Sequence, residues 1–256
     1  LKTSGMLAHF RERPFAKTNC QNRKPQAVFI NCMDTRPLAP DMSVLLAGRE
    51  DYFKKGVSAV SKLSDKTYVC AGIDITGTHI HFLHTAALGR TVWSVDMQTV
   101  IDIGYLLTHG ELNETTRLAV SGEFENPCHV ETLKGAPVAQ IIKGREKPDT
   151  RVILGSMLYG LTVESGVEHL SSVFPQITAL AELKDRYLFG WTTPRNDLFS
   201  VKNIFASKFT GEKKVLLDTA LNGAHRPMVP VGTYEKVMPL DILPTHLLRS
   251  LIVGDF

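Results

Sequence analysis

The order of apolar and polar positions changes character near residue 115. Before that point, short apolar runs alternate with stretches of helical period. Ala27-Val28-Phe29-Ile30-Asn31-Cys32 is an apolar run of strand length, as expected for a strand covered on both faces of a parallel sheet. From Gly48 to Leu63, the side chains of Phe53, Val57, Val60 and Leu63 recur at i, i+4, i+7 and i+10, which predicts a helix with one apolar face. Lys66 to Ala71 and Thr91-Val92-Trp93 read as two further strands. Ser94 or Asp96 then caps a predicted helix carrying Val100, Ile101, Ile103, Leu106 and Leu107, and Gly110 stops it. This alternation predicts an α/β layer on a mostly parallel sheet.

After residue 115 the pattern becomes strand-rich. Leu118 to Gly122, His129 to Leu133, Arg151 to Leu154 and Tyr187 to Trp191 are short strand candidates separated by Gly, Pro and Asn. A single short helix, Pro137 to Ile142, is expected among them, with proline in its first turn. From Asp241 a last helix is predicted, with Asp241 as its cap, Pro244 in its first turn and Leu247, Leu248, Leu251 and Ile252 as an apolar face. The expected organisation is an α/β domain over residues 1–115, an α+β module over 116–235 and the start of a helical domain over 236–256. The first residue is Leu1 and the last helix is apolar, so a piece of a longer chain is expected.

Composition narrows the function classes. Of 256 residues, 43% are hydrophobic and 21% charged, which excludes wholesale disorder. Basic residues number 29 against 26 acidic ones, a formal charge of +3 that is too small and too spread to make nucleic acid the main partner. No apolar stretch approaches the ~18 residues of a spanning helix. Cys20, Cys32, Cys70 and Cys128 are scattered and form no C-x-x-C pair, which favours free thiols in a reducing compartment.

Three local patterns bear on chemistry. In Thr78-His79-Ile80-His81-Phe82, His79 and His81 fall on one side of a strand and suit a shared metal, as in metal-dependent hydrolases; a pair of hydrogen-bonded histidines at a strand end is the plainer alternative. No carboxylate stands beside them to orient the rings. Gly155-Ser-Met-Leu-Tyr-Gly160-Leu161-Thr162 has the spacing of a phosphate-binding loop, but Leu161 occupies the place of its lysine, so a turn between strands is expected. Asp96, Asp102 and Glu111 read as a solvated helix face. No catalytic set emerges from the residues alone, and neither G-x-G-x-x-G nor G-x-S-x-G occurs.

Arg13-Pro-Phe-Ala-Lys17, Phe29-Ile-Asn-Cys-Met-Asp-Thr-Arg-Pro-Leu38, Gly77-Thr-His-Ile-His-Phe82 and the long segment Met228 to Pro244 go further. Together they resemble the A subunit of the bacterial sodium-translocating NADH:quinone oxidoreductases. Family members carry more residues before Gly77, including a Gly-Pro-His-Pro-type loop. Either this member is shortened between Ile75 and Gly77, or a loop is absent from the sequence. The family in turn is similar to the NADH- and flavin-binding subunit of respiratory complex I. Leu1-Lys-Thr-Ser-Gly-Met6 keeps that subunit's opening, whereas Phe10-Arg-Glu-Arg-Pro-Phe15 replaces its glycine-rich loop, and Arg36 stands where an acid stood.

The resemblance implies a Rossmann-like parallel-sheet domain followed by a β-grasp module of the soluble-ligand-binding type. It implies a peripheral subunit on the cytoplasmic side of the inner membrane, partnered by the other subunits. NADH, flavins, iron–sulfur groups and ubiquinone would be handled on those subunits, with no cofactor or metal held in this fragment and no catalytic residue of its own. The loop that replaces the relative's ligand loop supplies the candidate binding residues Asn31, Asp34, Thr35, Arg36 and Pro37, with His79 and His81 as further candidates. The role expected is assembly with a contribution to a quinone site. A pure scaffold that binds no small molecule, and a metal-dependent hydrolase using His79 and His81, are the alternatives.

Overall fold

The computed structural model describes residues 1–13, 16–18, 24–71, 91–163, 168–183, 196, 206–210, 217–220, 227–238 and 241–255. The chain forms two compact units. One combines Leu1–Asp34, Leu46–Asn113 and Ala224–Phe256; the other combines Thr35–Leu45 with Glu114–Gly223.

In the first unit, strands β1 (Arg11–Arg13), β2 (Ala27–Asn31), β3 (Thr67–Cys70) and β4 (Val92–Asp96) form one sheet in the order β1-β4-β2-β3. Strand β2 is parallel to both β3 and β4, as the apolar run at Ala27 predicts, and residues Ala27 to Ile30 are fully buried. The expected parallel sheet is nevertheless mixed, because β1 joins β4 antiparallel. Its sequence, Arg-Glu-Arg, carries no strand signal; pairing with the edge of β4 makes it a strand.

Helix α1 (Met42–Leu46) is a single turn. Helix α2 (Glu50–Val60) starts with Glu50 and Asp51, whose charges suit the positive end of the helix dipole. Helix α3 (Met97–His109) has Asp96 as its cap. The Thr99 N–H donates to Asp96 Oδ1 at 2.8 Å, and the Thr99 hydroxyl donates to Oδ2 at 2.9 Å. Of the two capping candidates, Ser94 instead lies within β4 and accepts from Arg13 Nε at 3.2 Å. Gly110 ends α3 in the left-handed conformation, its N–H bonded to the Leu106 carbonyl. Helices α2 and α3 pack closely where two glycines face backbone: a β-carbon on Gly56 would stand 2.0 Å from the Val100 carbonyl oxygen, and one on Gly104 1.8 Å from that of Tyr52.

In the second unit, β5 (Thr115–Gly122), β6 (Cys128–Leu133), β7 (Thr150–Leu154), β8 (Leu161–Thr162) and β9 (Gln176–Ala181) form a mixed sheet in the order β6-β5-β9-β7-β8. The central pair β5–β9 is parallel and every other pairing antiparallel. Helix α4 (Val138–Ile142) follows β6, with Pro137 just ahead of it. Leu118, Val120, Phe124, Val138, Ile142, Leu154, Leu170, Ile177 and Ala179 make the core. The strand expected at Tyr187 to Trp191 lies outside the described residues.

Helices α5 (Thr233–Val237) and α6 (Pro244–Val253) complete the described elements. Asp241 is not the cap expected of it. The helix begins at Pro244, which has no N–H to be capped, and the next N–H, that of Thr245, donates to Glu235 Oε1 of α5 at 3.3 Å.

Candidate functional site

The seven candidate residues fall in three places. Asn31 and Asp34 belong to the first unit, Thr35, Arg36 and Pro37 to the second, and His79 and His81 lie outside the described residues.

Asn31 ends β2 at the carboxyl edge of the parallel strands, in register with Cys70 of β3 and Asp96 of β4. Its side-chain oxygen accepts from the Met33 N–H at 3.1 Å, an Asx turn that starts the loop. The Cys32 N–H donates to the Cys70 carbonyl at 2.9 Å. Burial, then the neighbouring Cys70 and Asp96, push the Cys32 thiol up to about 11. Burial also raises Cys70. Cys32, Cys70 and Cys128 are all free thiols. Asp102 is not on a solvated face as expected: it is 6% exposed and accepts from Asn113 Nδ2 at 2.7 Å.

From Thr35 the chain joins the second unit as a strap lying on its sheet. Gln176 Nε2 of β9 donates to the Pro37 carbonyl at 3.3 Å, Ser121 Oγ of β5 donates to the Leu38 carbonyl at 2.9 Å, and the Asp41 N–H donates to His129 Nε2 of β6 at 3.0 Å. Leu38 has a φ of 60°, a left-handed conformation that costs a residue with a β-carbon strain. The Arg36 guanidinium carbon lies 5.0 Å from the centroid of the Tyr159 ring. Tyr159 sits in the turn between β7 and β8, so the near-phosphate-loop motif is a turn between strands, as its missing lysine implies.

No local pattern marks Tyr159, Gln176 or His129 as neighbours of the loop. Each is far from residues 31–37 in the chain, and only the pairing of β9 with β5 and β7 brings the second sheet under the strap. Among the described residues no group of three or more His, Cys, Asp or Glu side chains is placed to hold a metal ion. Among them, too, no helix is long and apolar enough to cross a membrane.

Residues 1–76 and 72–112 match the family model described as the NqrA second alpha/beta domain. The A subunit of the Na(+)-translocating NADH-quinone reductase of Neisseria meningitidis serogroup B is 39% identical over 98% of this chain and 62% of its own length. The corresponding A subunits of Yersinia pestis and Alcanivorax borkumensis are 37% and 39% identical over 100% of this chain and 63% of theirs. Over nearly its whole length the chain is similar to the A subunits of the Na(+)-translocating NADH-quinone reductases. It spans 62–63% of the length of these relatives.

The alignment to the Neisseria protein runs over 278 residues, more than the 256 of this chain, so that relative carries residues with no counterpart here. The two matched segments of the NqrA domain overlap at residues 72–76, just before Gly77. Solved structures of an NAD+-reducing [NiFe]-hydrogenase, H2-reduced and air-oxidized, align over 62% and 63% of this chain at 10% and 12% identity. The TM-score is 0.42 in both cases.

Proposed function

We propose that this chain works as a peripheral, non-catalytic subunit of a sodium-translocating NADH:quinone reductase, on the cytoplasmic face of the membrane, and that the loop from Asn31 to Pro37 contributes to a quinone site. The observation that carries the first part is identity of 37–39% to the A subunits of such reductases over essentially the whole chain. Its partners are then the other subunits, where NADH, flavins and iron–sulfur groups are handled. Electron transfer to ubiquinone and sodium export are properties of the assembled complex.

Residues 1–115 are read as a Rossmann-like domain and residues 116–235 as a β-grasp module. Support for the first comes from the parallel order β4-β2-β3 with helices following β2 and β4. Support for the second comes from a parallel central pair flanked by antiparallel strands, with α4 between β6 and β7. The quinone contribution is supported by Arg36, a donor of fixed planar geometry held on the second sheet beside Pro37. In the assembled reductase, Arg36→Ala is expected to raise the KM for ubiquinone or shift inhibitor sensitivity. Unchanged values for both would remove the loop from the quinone site.

A pure scaffold is the second reading, favoured by the exposed apolar side chains of α6: Leu247, Leu251, Ile252 and Val253 are between 45% and 74% exposed. On that reading, Leu251→Glu lowers the yield of assembled complex without altering the KM of what assembles.

A further inference from the structure

The strap from Thr35 to Leu45 is held by side chains of the second sheet that reach its main chain. Gln176 of β9 donates to the Pro37 carbonyl, Ser121 of β5 to the Leu38 carbonyl, and Arg117 Nη1 of β5 to the Val44 carbonyl at 3.3 Å. His129 of β6 works the other way: its Nε2 accepts from the Asp41 N–H at 3.0 Å. To accept there, the ring must be neutral and carry its proton on Nδ1. An amide, a hydroxyl or a guanidinium keeps its donors throughout the neutral range, whereas an imidazole ordinarily gains a proton between pH 5 and 8. Of these four partners, His129 is the one whose role reverses with pH.

Asp41 is also the residue that starts α1. Its carbonyl accepts from the Val44 and Leu45 N–H groups, both at 3.1 Å, and its Oδ1 accepts from the Ser43 N–H at 2.8 Å and the Ser43 hydroxyl at 2.7 Å. His129 therefore pins the start of α1 to β6. Hydrogen bonding from Ser43, more than the nearby His129, holds the Asp41 carboxyl below its usual range, so it stays charged where an imidazole titrates. The charged groups around the ring are Asp41 on the strap, Glu131 two residues along β6, Arg117 on β5 and Arg145 behind the strand. Arg117 lies in register with Glu131, and its Nε donates to Glu131 Oε2 at 2.8 Å, which offsets that carboxylate. Arg145 donates to Cys128, on the opposite face of β6. With Glu131 engaged by Arg117, a protonated ring turns to the Asp41 carboxylate.

We propose that His129 is a pH-sensitive latch on the strap: neutral, it accepts the Asp41 N–H and holds the start of α1 on β6; protonated, it can no longer accept and donates instead to the Asp41 carboxylate, in competition with Ser43. The step is uptake of one proton from water at Nε2, and it exchanges one hydrogen bond for another. The latch bond is present above the pH at which the ring titrates and is lost as pH falls through it. Thr35, Arg36 and Pro37 lie at the head of the same strap, so the latch acts on the segment that carries half of the candidate loop.

The test is the hydrogen-exchange rate of the Asp41 amide in the purified protein, read by NMR at about pH 7.5 and about pH 5.5, either side of the ordinary imidazole titration. Each rate is divided by that of an unstructured peptide at the same pH. The wild type is expected to lose about three- to tenfold of its protection at the lower pH, the scale of one net hydrogen bond. His129→Gln, whose amide oxygen accepts at either pH, keeps the protection at both, and His129→Ala lacks it at both. Equal protection of the wild type at the two pH values overturns the latch. So does a loss in His129→Gln as large as in the wild type, since another group would then titrate. Should the variants not fold, the ring nitrogens of wild-type His129 are read in their place at the higher pH: a proton on Nδ1 supports the latch, and a proton on Nε2 overturns it.

Discussion

At Cys32 the position in the fold sets the chemistry of the side chain. The thiol follows the last residue of a buried strand, and burial with Cys70 and Asp96 nearby raises it to about 11. It stays protonated at neutral pH and is a poor nucleophile. Because the folded value is raised, the stability this thiol contributes is present below the unfolded thiol value of about 8.5 and is lost as pH rises through the folded value. Cys32 is expected to alkylate more slowly with iodoacetamide at pH 8 in the native protein than after unfolding. Peptide mass spectrometry finding equal rates would contradict its burial. Asp96 was legible as one of two helix caps, because Ser/Asp ahead of an apolar-periodic stretch marks a helix start. The register of β4, which takes Ser94 into the sheet, makes the choice. Asp96→Ala should cost about 1 kcal/mol of stability by chemical denaturation, and no shift in midpoint would contradict the cap. The burial of Asp102 is not legible in the sequence, because its partner, Asn113, lies beyond the end of the helix and outside its periodicity.

Elements with a strong period were read correctly, and those defined by their neighbours were not. Helices α2 and α3 and strand β2 carry their own apolar pattern. Strand β9, central in the second sheet, is Gln-Ile-Thr-Ala-Leu-Ala, whose small and polar residues give no clear period of two. Gln176 is buried there because its amide finds Pro37 and Thr178, the first of them 139 residues away. The candidate loop was legible as chemistry, but a local pattern cannot report that Thr35 and the residues after it fold with a sheet formed much later in the chain. The α2–α3 contact depends on two missing β-carbons. Gly104→Ala is expected to destabilise the protein by about 1–3 kcal/mol, the usual cost of overpacking. A midpoint of urea unfolding equal to wild type would show that the helices separate at no cost.

For the molecule as a whole, the similarity to the reductase A subunits was legible because a few long segments, above all Met228 to Pro244, are distinctive as strings of residues. The proposed place in a complex is less a matter of local chemistry, since no catalytic set stands out in the sequence. On that proposal, what the chain contributes lies in surfaces: the strap on the second sheet and the exposed apolar side chains of α6. Association is therefore the property to measure. With an affinity tag on this chain in its native host, detergent-solubilised membranes should yield the tagged chain together with sodium-stimulated NADH:ubiquinone reductase activity. Recovery of the tagged chain alone, with that activity left wholly in the unbound fraction, would contradict its assignment to the reductase.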